Sequence, residues 1–326
     1  MNKLFARAQS SAVQAPPNSL LDSRARKIHR LKQQLPFIIM LIIPVLYFLL
    51  FRYWPMFGVL ISFQKYRLGS PFLSLETEWV GLKWFKQFMG SPFFGRWIKN
   101  TLCLSLLNLA ITFPLSIAMA LLLNEIRNKK VRKLTSTIAL LPHFISTVVI
   151  VGILFNMFSI DDGLVNQVIA FFGGKKIDFM GSSEWFRPLY IGSGAWQSVG
   201  FSSVVFTAAI SGIDPTLYEA AAIDGSSRLK NIFRITIPCI LPTIIIMFIL
   251  KVGSIMSVGY EKIILMASEQ IYDVADTLST YSYRVGIIDG RYSLSAAIGL
   301  FDSVINLILL VVFNRISKKT TETALW

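Results

Sequence analysis

Residues Asn100–Asn124, NTLCLSLLNLAITFPLSIAMALLLN, contain no charged side chain. About 20 apolar residues carry a helix across the hydrocarbon of a bilayer. A run this long that does not alternate is not a barrel strand. Working outward, five further runs have the same character. Pro36–Pro55 is interrupted only by Arg52 near one end, where a long side chain can snorkel to the interface. Leu134–Ile160 and Pro188–Ile213 follow, then Ile237–Gly259 with Lys251 inside it and Ser293–Phe313 with Asp302 inside it. Lipid admits only helices and closed barrels as spanning structures. The sequence therefore predicts an all-α integral membrane protein. Six transmembrane helices occupy residues 35–313, between a basic N-terminal tail (1–34) and a short C-terminal tail (314–326).

Composition agrees. Hydrophobic residues make up 54% of the chain, charged residues 15%, and mean hydropathy is +0.58, where a soluble domain carries roughly 25% charged residues. Disorder is excluded by the excess of apolar surface. A disulfide scaffold is excluded because there are only two cysteines, Cys103 and Cys239, which read as small apolar packing residues. The net charge of +14 invites a nucleic-acid reading, but its distribution argues for membrane orientation. Lys and Arg number 18 in the 80 residues of 1–34, 125–133, 213–236 and 314–326, against 11 in the 103 residues of 58–97, 159–187 and 259–292. The positive-inside bias places both termini in the cytoplasm and predicts no nucleic-acid partner. The tail, with Lys3, Arg7 and five further basic residues, is too long and polar for a signal-peptide n-region. Small residues recur every four positions, at Gly194, Ser198 and Ser202 and at Ser295, Gly299 and Ser303. Such stripes let helix backbones approach and read as packing within the chain.

Catalytic chemistry is missing. Gly174-Lys175 lacks the upstream glycine and the following Ser or Thr of a nucleotide-binding P-loop. His29 and His143 are the only histidines, too few for a His-rich metal site. His143 reads as a helix-packing residue. Two other classes make their own demands on a sequence. A membrane-embedded enzyme needs clustered nucleophiles, acids or metal ligands. A self-sufficient secondary transporter needs internal repeats and broken helices at the midplane. Neither pattern is evident.

The informative stretch lies between the fourth and fifth spans, in the coupling loop 213–238: DPTLYEAAAIDG, Asp214–Gly225, followed after nine residues by ITIP, Ile235–Pro238. Asp214 can cap a short helix that Pro215 opens. The alanines favour it, and Gly225 suits a left-handed stop. A second helix is predicted over Arg228–Ile237, with Pro238 leading into the fifth span. The product is a helix-Gly-helix elbow lying along the membrane, a knob shaped for another protein's groove.

Glu219-Ala220-Ala221, three residues, Gly225, nine residues, then Ile235-x-Ile237-Pro238 resembles the signature of binding-protein-dependent ABC importer permeases; the family pattern has Leu where this chain has Ile237. The run from Asp276-Thr277 through Arg284, with Tyr292-Ser293 and Ala297–Phe301, resembles the branch that handles oligo- and polysaccharide fragments, as in alginate-type sugar importers. The resemblance implies a permease subunit of an ATP-driven importer in the bacterial cytoplasmic (inner) membrane. Its partners are a second, different permease, two ATP-binding-cassette ATPases, an extracytoplasmic solute-binding protein and a sugar. The chain itself binds no cofactor, ATP and Mg belonging to the ATPases, and it is not an enzyme. Tyr218, Glu219, Ala220, Ala221, Asp224 and Gly225 become the ATPase-coupling residues, and Ile235 and Pro238 pack the elbow against the bundle.

Sugar binding uses aromatic faces and hydrogen-bonding side chains. Inside the spans the candidates for a substrate path are Asn108, Asn156, Trp196, Gln197, Lys251 and Tyr260, with Lys251 suited to an acidic sugar. Counted along antiparallel helices, Lys251 and Asp302 lie at similar depth, about 21 and 18 Å from the cytoplasmic ends. A lone charge at the midplane usually pairs or faces a wet cavity, so the two are expected to pair or to share one pocket.

Overall fold

The computed structural model describes residues 19–69 and 77–326, with side chains from Gln34 onward. Lys3 and Arg7 of the basic tail, and the His29 side chain, lie outside the described residues. The chain divides into two units at Gly58/Val59.

Among the described residues, four helices are long and apolar enough to cross a membrane. These are α1 (Gln34–Phe63), α2 (Phe94–Glu125), a 25-residue helix Arg228–Val252, and a 30-residue helix Tyr292–Thr321. Two bent pairs complete the expected six. In the first, α3 (Lys129–Leu140) and α4 (Thr147–Phe158) meet at 96°. In the second, α5 (Ser183–Ser211) turns by 70° into α6 (Pro215–Ile223). We number Arg228–Val252 as α7, the short helix Tyr260–Met266 as α8, Leu278–Tyr283 as α9 and Tyr292–Thr321 as α10.

Three expectations about these spans are corrected. Leu134–Ile160 is not one helix. Pro142 lies in a tight 3-10 turn over Leu141–Phe144, and Ile145 is extended. Ser146 then caps a fresh helix, its hydroxyl accepting from Val149 N. Next, the elbow has no separate second helix. Arg228–Asn231 is continuous with the fifth span through a π-helical turn, Ile232–Thr236. That turn sits directly before Pro238, as another at Leu49–Tyr53 sits before Pro55. A proline ring collides with the carbonyl four residues back, and widening the turn moves that carbonyl aside. Finally, the fifth span ends at Val252 rather than Gly259.

Packing follows three apolar clusters. Phe206 and Ile210 of α5 meet Ala120 of α2 and Ile240 of α7 toward the elbow end. Leu104 of α2 and Leu189 of α5 share a second cluster with Leu154 of α4 and Ile263 of α8. Phe88 and Trp97 pack with Leu278 of α9 and Leu294 and Ile298 of α10 in the third. The small-residue stripes are not where backbones meet most closely. A Cβ on Gly200 would collide with the Ala139 carbonyl of α3, whereas one on Gly299 would meet nothing within 4 Å. His143 stacks face to face on Phe201 at 4.0 Å, a packing role as expected.

Candidate functional site: the elbow and the polar break above the fifth span

The elbow is built from local hydrogen bonds. Asp214 accepts from Thr216 N at 2.9 Å, which holds its exposed carboxyl below the usual carboxylate range, and Pro215 opens α6. At the other end Gly225 takes φ +69°. Its N–H donates to the Ala222 carbonyl at 3.1 Å, and Ser226 N to the Ala221 carbonyl at 2.9 Å. These are the two bonds of a Schellman stop, which a left-handed glycine permits. The Ser227 hydroxyl then caps α7, accepting from Lys230 N. The knob leaves Ile223 88% exposed and Leu229 70% exposed, and Glu219, Ala220 and Asp224 are exposed beside them.

Two contacts that the sequence did not disclose tie this knob to the bundle. The Tyr218 hydroxyl is 2.9 Å from the Thr236 hydroxyl, on the π turn of α7, and Thr236 is buried. Arg228 reaches Glu125, the last residue of α2, at 3.8 Å. Ile235 is half-buried, but Pro238 is exposed, so its effect is on the backbone and not on packing.

At the far end of α7 the helix stops and the chain turns through 253–259 before α8. The α10 side chains hold this break. Asn306 accepts from Met256 N at 3.0 Å and donates to the Ser257 hydroxyl at 2.9 Å. That hydroxyl donates to Asp302 at 3.1 Å. Two cavities flank the break. One, of about 450 Å³, is walled by Tyr260, Tyr283, Ser279, Ser282, Ser295 and Asp302, with Tyr260 and Tyr283 stacked at 4.8 Å. The other, about 200 Å³, is walled by Ser105, Asn108 and Thr112 of α2, Tyr190 of α5, and Lys251, Ser254 and Ser257.

The expected Lys251–Asp302 ion pair does not form, since Asp302 is held by Ser257 and Asn306 instead. Depth along a helix says nothing about which face a residue occupies. The two charges line different cavities, with Ser257 between them. Of the remaining path candidates, Asn108 and Tyr260 line these cavities. Gln197 does not, because it donates to the Ile145 carbonyl at 3.0 Å and staples the α3–α4 break to α5. Trp196 is half exposed and borders a separate apolar cavity. Asn156 bonds back to Gly152 of its own helix.

A polar clamp fixes the segment between α8 and α10 onto α2. Buried Asp276 accepts from Trp97 Nε1 at 2.7 Å, from Arg284 at 3.0 and 3.1 Å, and from the Thr280 hydroxyl at 3.1 Å. Asn100 donates to the Asp273 and Asp276 carbonyls, and Thr101 accepts from Leu278 N. On α8, Lys262 is 9% exposed and burial pushes its ammonium down to about 8. In the sequence it is indistinguishable from any other basic residue of a loop.

Comparison with known proteins places the chain. The family model described as "Binding-protein-dependent transport system inner membrane component" matches residues 112–322. The chain is 42% identical to the polygalacturonan/rhamnogalacturonan transport system permease protein YteP of Bacillus subtilis (strain 168), over 98% of this chain and 99% of that one. It is 41% identical to protein LplB of the same organism, over 88% and 90%. Among solved structures, a chain of a bacterial alginate ABC transporter in complex with alginate pentasaccharide-bound periplasmic protein superposes with TM-score 0.82. That match is 39% identical and covers 91% of this chain and 99% of that one.

Proposed function

We propose that this chain, which belongs to the family of binding-protein-dependent transport system inner membrane components, forms half of the translocation pathway of an ATP-driven importer for an acidic oligosaccharide. A transport subunit of this family is not an enzyme. A second, different permease chain completes the pathway, and an extracytoplasmic solute-binding protein delivers the sugar. Two ATP-binding-cassette ATPases carry the ATP and Mg²⁺, and this chain binds no cofactor. It sits in the bacterial cytoplasmic membrane with both termini inside, so that α6 faces the ATPase. Tyr218, Glu219, Ala220, Ala221, Asp224 and Gly225 then form the docking knob, to which Ile223 and Leu229 add apolar contact.

The observation that carries the substrate class is the cavity beside the α7 break. It joins amide, hydroxyl and phenol groups to Lys251, whose ammonium has no carboxylate within 4 Å among the described residues. Neutral sugars need only the first three groups; a uronate also uses the fourth. The names of YteP and the alginate transporter point the same way. The experiment is uptake by proteoliposomes containing the whole complex and its binding protein. Tri-galacturonate should be imported and should stimulate ATP hydrolysis, whereas its carboxyl-reduced counterpart should do so poorly. Equal or better import of the neutral oligomer would remove the acidic-substrate reading. Failure of this chain to copurify with an ATPase and a second permease would remove the importer reading.

A further inference from the structure

A lysine with 9% exposure needs an explanation, because burying an ammonium is costly unless its protons are satisfied. Lys262 has one acceptor, the Tyr190 carbonyl at 2.9 Å. Its charge also lies over the Tyr190 ring, 4.8 Å from the centroid, an attractive but incomplete substitute for water. No carboxylate approaches it within 4 Å among the described residues. Of the neighbouring acids, Asp276 is engaged by Arg284 and Asp273 by Ser183, and Glu261 and Glu269 form no ion pair with Lys262 among the described residues. Two of its three N–H donors are therefore open.

Where they open is defined by a missing side chain. A Cβ on Gly194 of α5 would stand 3.5 Å from Lys262 Nζ and 3.9 Å from Asn108 Oδ1. Both groups border the same small space above Gly194. Asn108 and Tyr190 also wall the cavity that holds Lys251. One lysine thus comes from the last turn of α7, before the break, and the other from α8, after it. Lys251 lines that cavity, and Lys262 meets two of its wall residues, Tyr190 directly and Asn108 across Gly194.

We propose that Lys262 and Lys251 form a carboxylate subsite for one uronate unit of the transported oligosaccharide, with Gly194 kept bare to admit the carboxylate beside Lys262. The inference rests on the acidic-sugar reading above and adds the residue that reads the charge. A carboxylate accepts the open ammonium protons, and its ring hydroxyls meet Asn108 and the serines of the break. A neutral sugar leaves the ammonium unsatisfied, so the subsite selects against it.

The test uses the complete transporter with its binding protein in proteoliposomes, with tri-galacturonate and its carboxyl-reduced form as probes. Lys262→Gln keeps a donor for the Tyr190 carbonyl but removes the charge. It should raise KM for tri-galacturonate about tenfold or more, the loss expected for one charge-assisted hydrogen bond. The neutral oligomer's KM should fall or hold level rather than rise, so that the preference for the acidic oligomer narrows. Gly194→Ala leaves both lysines in place and fills the entry space, and it should raise the same KM. If Lys262→Gln does not assemble, Gly194→Ala decides alone. Wild-type preference for the acidic oligomer that survives intact in the variants would overturn the subsite while leaving the acidic-sugar reading standing. A wild type without that preference would fail the earlier reading instead.

Discussion

Gly225 gives the most direct test of the elbow. Its φ of +69° is a conformation that costs an L-residue about 1–2 kcal/mol, and no neighbour lies within 4 Å of a Cβ built there. Alanine therefore meets no steric obstacle, and its cost is backbone strain alone, equivalent to roughly 5- to 30-fold in the population of the closed turn. Asparagine, which tolerates the left-handed region, costs less. Proline fixes φ near −65° and has no N–H. It removes the Gly225–Ala222 bond and displaces the Ser226–Ala221 bond. The expected order of coupled transport is therefore Gly, Asn, Ala, Pro. Binding-protein-stimulated ATP hydrolysis and sugar uptake should both follow that order, with membrane insertion unchanged. Glu219→Lys, which reverses charge on the same exposed knob, should uncouple as proline does. Wild-type uptake by the Gly225→Pro variant, or equal activity across the series, would show that the turn is not what engages the ATPase.

Gly200→Ala forces a methyl group against the Ala139 carbonyl and should destabilise the solubilised protein by about 1–3 kcal/mol, read as a lower Tm; Gly299→Ala, with open space around it, should leave Tm unchanged. Asp276→Asn strips Arg284 of its partner. Breaking a buried pair costs about 3–5 kcal/mol, and with Arg284 32% exposed the expected loss is nearer the lower end, seen as early protease cleavage within residues 269–291. Cysteines introduced in 58–97, 159–187 and 259–292 should react with an impermeant thiol reagent added to intact cells, and cysteines in 314–326 should not; the reverse pattern would invert the orientation. Because burial pushes the Lys262 ammonium down to about 8, its share of the subsite's charge is present below that pH and lost above it; Tyr190 lies beneath it and Lys251 lines the adjoining cavity. Uronate uptake should fall as pH rises from 7 to 9, and Lys262→Arg should hold it constant.

Apolar runs disclosed the six crossings because the bilayer demands a fixed length of them. What they concealed is where a helix breaks, since hydropathy is silent about hydrogen bonds. Pro142 and Ser146 were readable signals of a stop and a restart, but each also occurs inside apolar spans. The end of α7 has no such signal: Gly253 follows Val252, and the break is held from outside by Asn306 and Asp302, fifty residues downstream. The elbow was legible because its caps are local, Asp214, Pro215 and Gly225 each acting within four residues. Its anchor was not, because Tyr218 and Thr236 are 18 positions apart. Gln197 interrupts the α5 run as a substrate residue would, yet it satisfies a backbone carbonyl freed by the α3–α4 break.

The two candidate sites are joined by one element. The helix α7 starts three residues after Gly225, carries the Tyr218 anchor on its π turn, and runs 25 residues, about 37 Å, to end one residue after Lys251. Packed helices move as bodies rather than stretch, so a displacement of the elbow that carries α7 also carries the Lys251 wall of the cavity. Lys262, Asn108 and Tyr190 sit on other elements, α8, α2 and α5. A site whose walls come from separate helices can change its spacing when one of them shifts, and the coupling expected of the elbow is that a shift of α7 alters the distance between Lys251 and the α2 and α5 walls.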